Sequence, residues 1–204
     1  MWVVLRGVRV HMFSSFCITI ARKNPYNKAM EDTRNVLDEF KNVPHEEIVK
    51  TLDTRGVELE VAIENTLRDF NMGTIVRSAN AFGVRTVHVI GRRQWNKRGA
   101  MMTDKYLTLE YHASPAAFRD AMKLRGKELY ALENNVSSHS ILETTLPKSM
   151  VFVFGQEGPG ISPELLALCN ETVSINQLGS TRSLNVGVAA GIALYEWCRQ
   201  NAQP

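Results

Sequence analysis

The feature that most restricts the fold is an alternation, from Val57 onward, of short β-prone runs with stretches long enough to hold a helix. The runs cover residues 57–63, 84–90, 128–131, 150–154 and 173–175. Parallel strands can be joined only through a crossover, so this pattern predicts an α/β fold, a mostly parallel sheet with helices on both faces. The clearest helix is the last, over 185–200, where Val186, Ala189, Ala190, Ala193, Leu194 and Trp197 share one stripe. Ahead of the alternation, Val36, Leu37, Phe40, Ile48, Val49 and Leu52 recur at helical spacing in a polar background. Residues 24–56 are therefore read as a helical N-terminal extension broken near Pro44, and residues 57–204 as the main domain.

Composition excludes several classes. Three cysteines, Cys17, Cys169 and Cys198, form no Cys-x-x-Cys pair and no Cys/His cluster, so a reduced, cytoplasmic, metal-free protein is expected. No apolar run approaches the roughly 20 residues that cross a bilayer, so no membrane partner is expected. A net charge of +3 suits a polyanionic partner without requiring one. At the amino end, Arg6 and Arg9 precede an apolar stretch over 12–21, superficially a leader, but His11 and two serines dilute it. Residues 1–23 are instead expected to be poorly ordered, or to precede a natural start at Met12 or Met30.

Ligands of open α/β sheets gather beyond the carboxyl ends of the strands, and three turns there are unusual. The first, 71–83, runs Asn-Met-Gly-Thr-Ile-Val-Arg-Ser-Ala-Asn-Ala-Phe-Gly: Asn71 suits a helix start and Gly83 a stop, yet Arg77 is a charge among small and apolar neighbours. The second, 155–160, is Gly-Gln-Glu-Gly-Pro-Gly, whose glycines let a ligand lie against peptide groups and whose one carboxylate is Glu157. Its order is not the dinucleotide fingerprint, and no Walker lysine follows. The third, 175–191, crowds Ser183 and Asn185 at the start of the last helix, where either could act as cap or as ligand contact.

In order and spacing these three segments resemble the motifs of the SPOUT superfamily, specifically the TrmH-type (SpoU) RNA 2′-O-methyltransferases: N-x-G-x-x-x-R, G-x-E-G-x-G and S-L-N-V. The resemblance spans residues 57–199. It implies a C-terminal trefoil knot, S-adenosylmethionine as cofactor, a homodimer with active sites near the subunit contact, and methyl transfer to a ribose 2′-hydroxyl of tRNA or rRNA. It further implies that Gly155, Gly158, Ile175 and Leu184 contact the methyl donor. Asn71, Arg77, Glu157, Ser183 and Asn185 fall in the catalytic neighbourhood, with Asn185 also near the donor. The one departure is Gln156, where the family often has Asn or a small residue.

The resemblance assigns activation of the hydroxyl to Arg77, but a guanidinium is effectively always protonated. Arg77 is therefore expected to bind the adjacent phosphate and stabilise developing alkoxide charge. For RNA, residues 92–98 join four cations, Arg92, Arg93, Lys97 and Arg98, to Trp95, a ring able to stack on an unpaired base. The short lead-in favours tRNA over rRNA. Competing readings are a non-catalytic knotted RNA-binding protein, a relative that methylates a base nitrogen, and an unrelated nucleotide-dependent oxidoreductase.

Overall fold

The computed structural model describes residues 2–5, 8–11, 32–66, 71–135 and 137–202, and the chain divides into two compact units, 1–34 and 35–204. In the first unit, β1 (Trp2–Leu5) and β2 (Val8–His11) pair antiparallel, Trp2 opposite His11 and Leu5 opposite Val8. The remainder of the 1–23 segment lies outside the described residues, as does its boundary with the extension.

The second unit opens with a short 3-10 helix, Asp38–Phe40, and α1, His45–Arg55. Pro44 stands at the N-cap of α1, where its fixed φ and missing N–H cost nothing. Ile48 of α1 packs with Phe40 and Tyr106.

Among the described residues the main sheet has seven strands, every adjacent pair parallel, in the order β5-β4-β3-β8-β6-β9-β7. They are β3 (Glu60–Asn65), β4 (Thr86–Gly91), β5 (Thr108–His112), β6 (Glu128–Leu132), β7 (His139–Ser140), β8 (Met150–Phe154) and β9 (Glu171–Ser174). The middle strand, β8, is Met-Val-Phe-Val-Phe and buried throughout, as a parallel strand covered on both sides must be. Met150, Phe152 and Phe154 face α2 (Asn71–Ala81) and α5 (Val186–Asn201); Val151 and Val153 face α3 (Pro115–Leu124) and α4 (Pro163–Leu166).

Two strands escape the pattern of continuous apolar runs. β5 is Thr-Leu-Glu-Tyr-His, an edge strand whose Leu109 and Tyr111 pack on the α2/α5 side while Glu110 lies part-exposed on the other. β7 has two residues, held against β9 by pairing of His139 with Val173 and Ser140 with Ser174. Other boundaries move by a few residues: β3 begins at Glu60, because the Val57 N–H donates to the Gly83 carbonyl instead of entering a ladder. β9 stops at Ser174, which frees Ile175 to line a cavity.

The α3 side of β3, β4 and β5 also carries a polar cluster. His88 is fully buried, its Nε2 2.7 Å from Glu60 Oε2 and its Nδ1 3.1 Å from His112 Nε2. Burial opposes the charge of Glu60, but hydrogen bonds and charge from His88 and Lys127 prevail and hold its carboxyl below the ordinary range. Burial pushes the His112 imidazole down, and the neighbouring His88 adds to the effect.

Candidate active site

Beyond β8 the chain makes a narrow loop. Gln156 and Gly160 exchange backbone hydrogen bonds of 3.1 and 3.0 Å, and Gly158 and Gly160 have φ of 97° and 71°, a region glycine enters without strain. A Cβ on Gly155 would stand 2.2 Å from the Gly160 carbonyl carbon, so nothing larger than glycine fits while the loop keeps this path. Side chains from the ends of three strands clamp it. The Gln156 amide accepts from Thr66 N at 2.9 Å and donates to Thr66 Oγ1 at 2.6 Å. Glu133, just after β6, accepts from Ile161 N at 3.0 Å. Glu64, buried at 4% exposure, accepts from Ser162 N at 2.7 Å.

Two hydrogen bonds join this loop to the starts of two helices. Asn71, the first residue of α2, donates through Nδ2 to Glu157 Oε2 at 2.5 Å. Asn185 Nδ2 donates to Asn71 Oδ1 at 2.9 Å. The Asn185 Oδ1 meanwhile caps α5, accepting from Gly187 N at 3.0 Å and Val188 N at 3.2 Å. One amide thus serves as cap and as network member, and Ser183 is not the cap: its carbonyl accepts from Thr181 Oγ1.

The cavity beside this network is lined by Gly155, Glu157, Gly158, Ile175, Ser183 and Leu184, six of the residues singled out in the sequence. Glu133, Gln156 and Gln177 line it too. Sequence reading missed Glu133 and Gln177 as site residues, and Gln156 was noticed only as a departure. Glu133 follows a strand directly, so the rule that sites lie past strand ends could have found it; Gln177 has no such signal. Gln177 Oε1 is buried with no hydrogen-bond partner among the described residues, on a residue that lines the cavity. Bare peptide edges, a carboxylate and a spare acceptor suit a cation bearing an amino-substituted base, such as S-adenosylmethionine.

Arg77 does not line this cavity. It lies on the exposed face of α2, about a third of a turn around the helix from Asn71, and no ion pair or hydrogen bond engages it among the described residues. On α5 a stripe of Val188, Ile192 and Tyr195 is exposed by 54%, 40% and 63%. The Tyr195 ring meets Phe82, just after α2, at 6.4 Å.

The basic segment requires a correction. Trp95 is only 8% exposed and belongs to the core, and Lys97 lies 5.4 Å from its ring centre, so it offers no free face for a base. A large apolar ring close to the sheet gains more by burial than by display. Asn65 secures the segment by donating to the Arg92 and Gln94 carbonyls. Arg92, Arg93, Lys97 and Arg98 are exposed, with Lys97 paired to Asp104 at 2.8 Å and Arg93 stacked 5.0 Å over Tyr111.

Residues 58–195 match the model of the SpoU rRNA Methylase family. The chain is 33% identical over 162 residues to a tRNA (guanosine(18)-2′-O)-methyltransferase of Thermus thermophilus, covering 75% of this chain and 80% of that one. It is similar to the solved TrmH/SpoU tRNA modifying enzyme of A. aeolicus, with a TM-score of 0.67 and 29% identity over 76% of this chain and 81% of that one. The SpoU methyltransferase AviRb of Streptomyces viridochromogenes, solved in complex with AdoMet, gives a TM-score of 0.64 and 26% identity over 74% and 63%.

Proposed function

Because the chain belongs to the SpoU rRNA methylase family, we propose that it is an RNA methyltransferase that moves a methyl group from S-adenosylmethionine to a ribose 2′-hydroxyl. The observation that carries this reading is the pair of hydrogen bonds that gathers Asn71, Glu157 and Asn185 around the glycine-lined cavity. Gly155, Gly158, Ile175 and Leu184 would hold the cofactor, with Gln177 Oε1 accepting from its amino group. When bound, the cofactor supplies an electrophilic methyl on a sulfonium. Glu157, oriented by Asn71, sets a negative charge beside that cation, while the narrow loop excludes water from one side. Arg77 binds the phosphate next to the target ribose and stabilises the alkoxide as the hydroxyl proton leaves to water.

The finer features belong to the same proposal. Loops after β6, β8 and β9 surround one cavity, with Asn134 Nδ2 bonded to the Arg182 carbonyl across them at 3.4 Å, the gathering a trefoil knot requires. The α5 stripe and the outward face of α2 form the contact of a homodimer and bring Arg77 to the site at the subunit boundary. The four cations of 92–98 hold RNA phosphates, with tRNA as the favoured substrate, in the cytoplasm. No helix among the described residues is long and apolar enough to cross a membrane.

The test incubates the purified chain and S-adenosylmethionine with unmodified tRNA and, separately, ribosomal RNA, followed by nucleoside mass mapping. A 2′-O-methyl nucleoside in the tRNA arm is expected. A base-methylated product, or no product with either RNA despite cofactor binding, overturns the assignment.

A further inference from the structure

We propose that His88, His112 and Glu110 form a binding site for one divalent transition-metal ion of the zinc class, on the edge of the sheet away from the methyl-transfer cavity. The three donor atoms lie within 4.8 Å of one another. His88 Nδ1 is 3.1 Å from His112 Nε2 and 3.6 Å from a Glu110 carboxylate oxygen. Ligands about 2.1 Å from a tetrahedral ion stand about 3.4 Å apart, within a few tenths of an ångström of both separations from His88 Nδ1.

Parallel register produces this set. Glu110 and His112 are two apart on β5 and point to one face, while His88 of β4 pairs directly with Glu110. The surroundings fit the second layer of a metal site. Glu60 Oε2 lies 2.7 Å from His88 Nε2, the carboxylate on the far ring nitrogen that metal-ligating histidines commonly have, while Nδ1 faces the other two donors. In the metal-free form a His112 Nε2–H can donate across the 3.1 Å gap to His88 Nδ1; when an ion binds, His112 ligates as the neutral tautomer, its proton moving from Nε2 to Nδ1 through solvent. Arg125 donates to Glu110 at 2.6 Å, as ligating carboxylates commonly receive a hydrogen bond, and Phe118 covers both imidazoles at 5.2 and 5.5 Å. Arg125 and Lys127 offset the two carboxylates, so the ion adds charge and affinity is moderate rather than extreme. His112 and Glu110 are part-exposed, which leaves an approach from solvent. The cavity proposed for the methyl donor draws instead on the ends of β6, β8 and β9, so the site is independent of that reading.

The experiment uses the untagged full chain, stripped with chelator, and titrates Zn²⁺ by calorimetry and Co²⁺ by visible absorption. One ion per chain is expected, with a cobalt spectrum of nitrogen and oxygen donors and no thiolate charge-transfer band. A hundredfold excess over Kd should raise Tm by about 5–10 °C. Glu110→Gln and His112→Gln should abolish this binding while keeping the wild-type far-UV spectrum, and Glu60→Gln should weaken it about ten- to a hundredfold. If a variant fails to fold, the wild-type cobalt spectrum decides alone. Absence of stoichiometric binding, a thiolate band, or undiminished binding in folded Glu110→Gln overturns the proposal.

Discussion

At the scale of single residues, the site depends on groups whose neighbours leave them no alternative. Gly155→Ala must push the Gly160 backbone aside, since the added methyl would meet peptide atoms rather than a yielding side chain. A loss of at least about tenfold in S-adenosylmethionine affinity is expected, measured by calorimetry, with the sheet intact by circular dichroism. Arg77 makes the opposite case: among the described residues no ion pair or hydrogen bond engages it, so the role proposed for it rests on a substrate. Arg77→Lys keeps the charge but loses the planar fork, so a fall of about a hundredfold in kcat/KM with unchanged cofactor affinity is expected; near-normal turnover would remove the fork from the mechanism. Among residues, Asn71, Glu157 and Asn185 were singled out in the sequence by their places beside glycines past strand ends, and two hydrogen bonds link them in the fold. Trp95 was misread because an aromatic among cations looks the same in one dimension whether it is displayed or buried.

At the scale of elements, α5 performs two tasks through one residue. Asn185→Asp retains an oxygen to cap Gly187 and Val188 but cannot donate to Asn71. Melting temperature should stay close to wild type while methyl transfer falls, whereas Asn185→Ala should lose both activity and about 1 kcal/mol of stability by urea unfolding. The far end of α5 contributes a pH dependence. Hydrogen bonds from Arg199 lead, over the opposing effect of burial, in holding the Glu196 carboxyl below its ordinary value of 4.5. The folded state thus favours the carboxylate, and the stability it adds is complete above that value and disappears as pH falls through the lower, folded one. Urea midpoints compared at neutral pH and below about pH 4 should show a smaller acid loss in Glu196→Gln. Boundaries and edge strands were the least legible elements: β5 and β7 hold their places by pairing with a neighbour and carry no apolar run of their own.

For the whole molecule, the exposed stripe of Val188, Ile192 and Tyr195 leaves α5 apolar on the side away from the core as well as toward it, which a helix facing water does not sustain. Light scattering after size exclusion should give a dimer for the native chain and a monomer for Ile192→Arg with Tyr195→Glu, with activity lost if Arg77 works at the subunit boundary. By itself the sequence determined the α/β class, the strand at 150–154, the last helix and the three motif segments, because periodicity and glycine placement are local properties that short windows carry in full. Only the tertiary structure decided the strand order, the clamps of Glu133 and Gln156 on the glycine loop, the burial of Trp95 and the meeting of His88 with Glu110 and His112. Each of these depends on which strands lie side by side, a choice made by packing across the whole sheet and not encoded in any one stretch of chain.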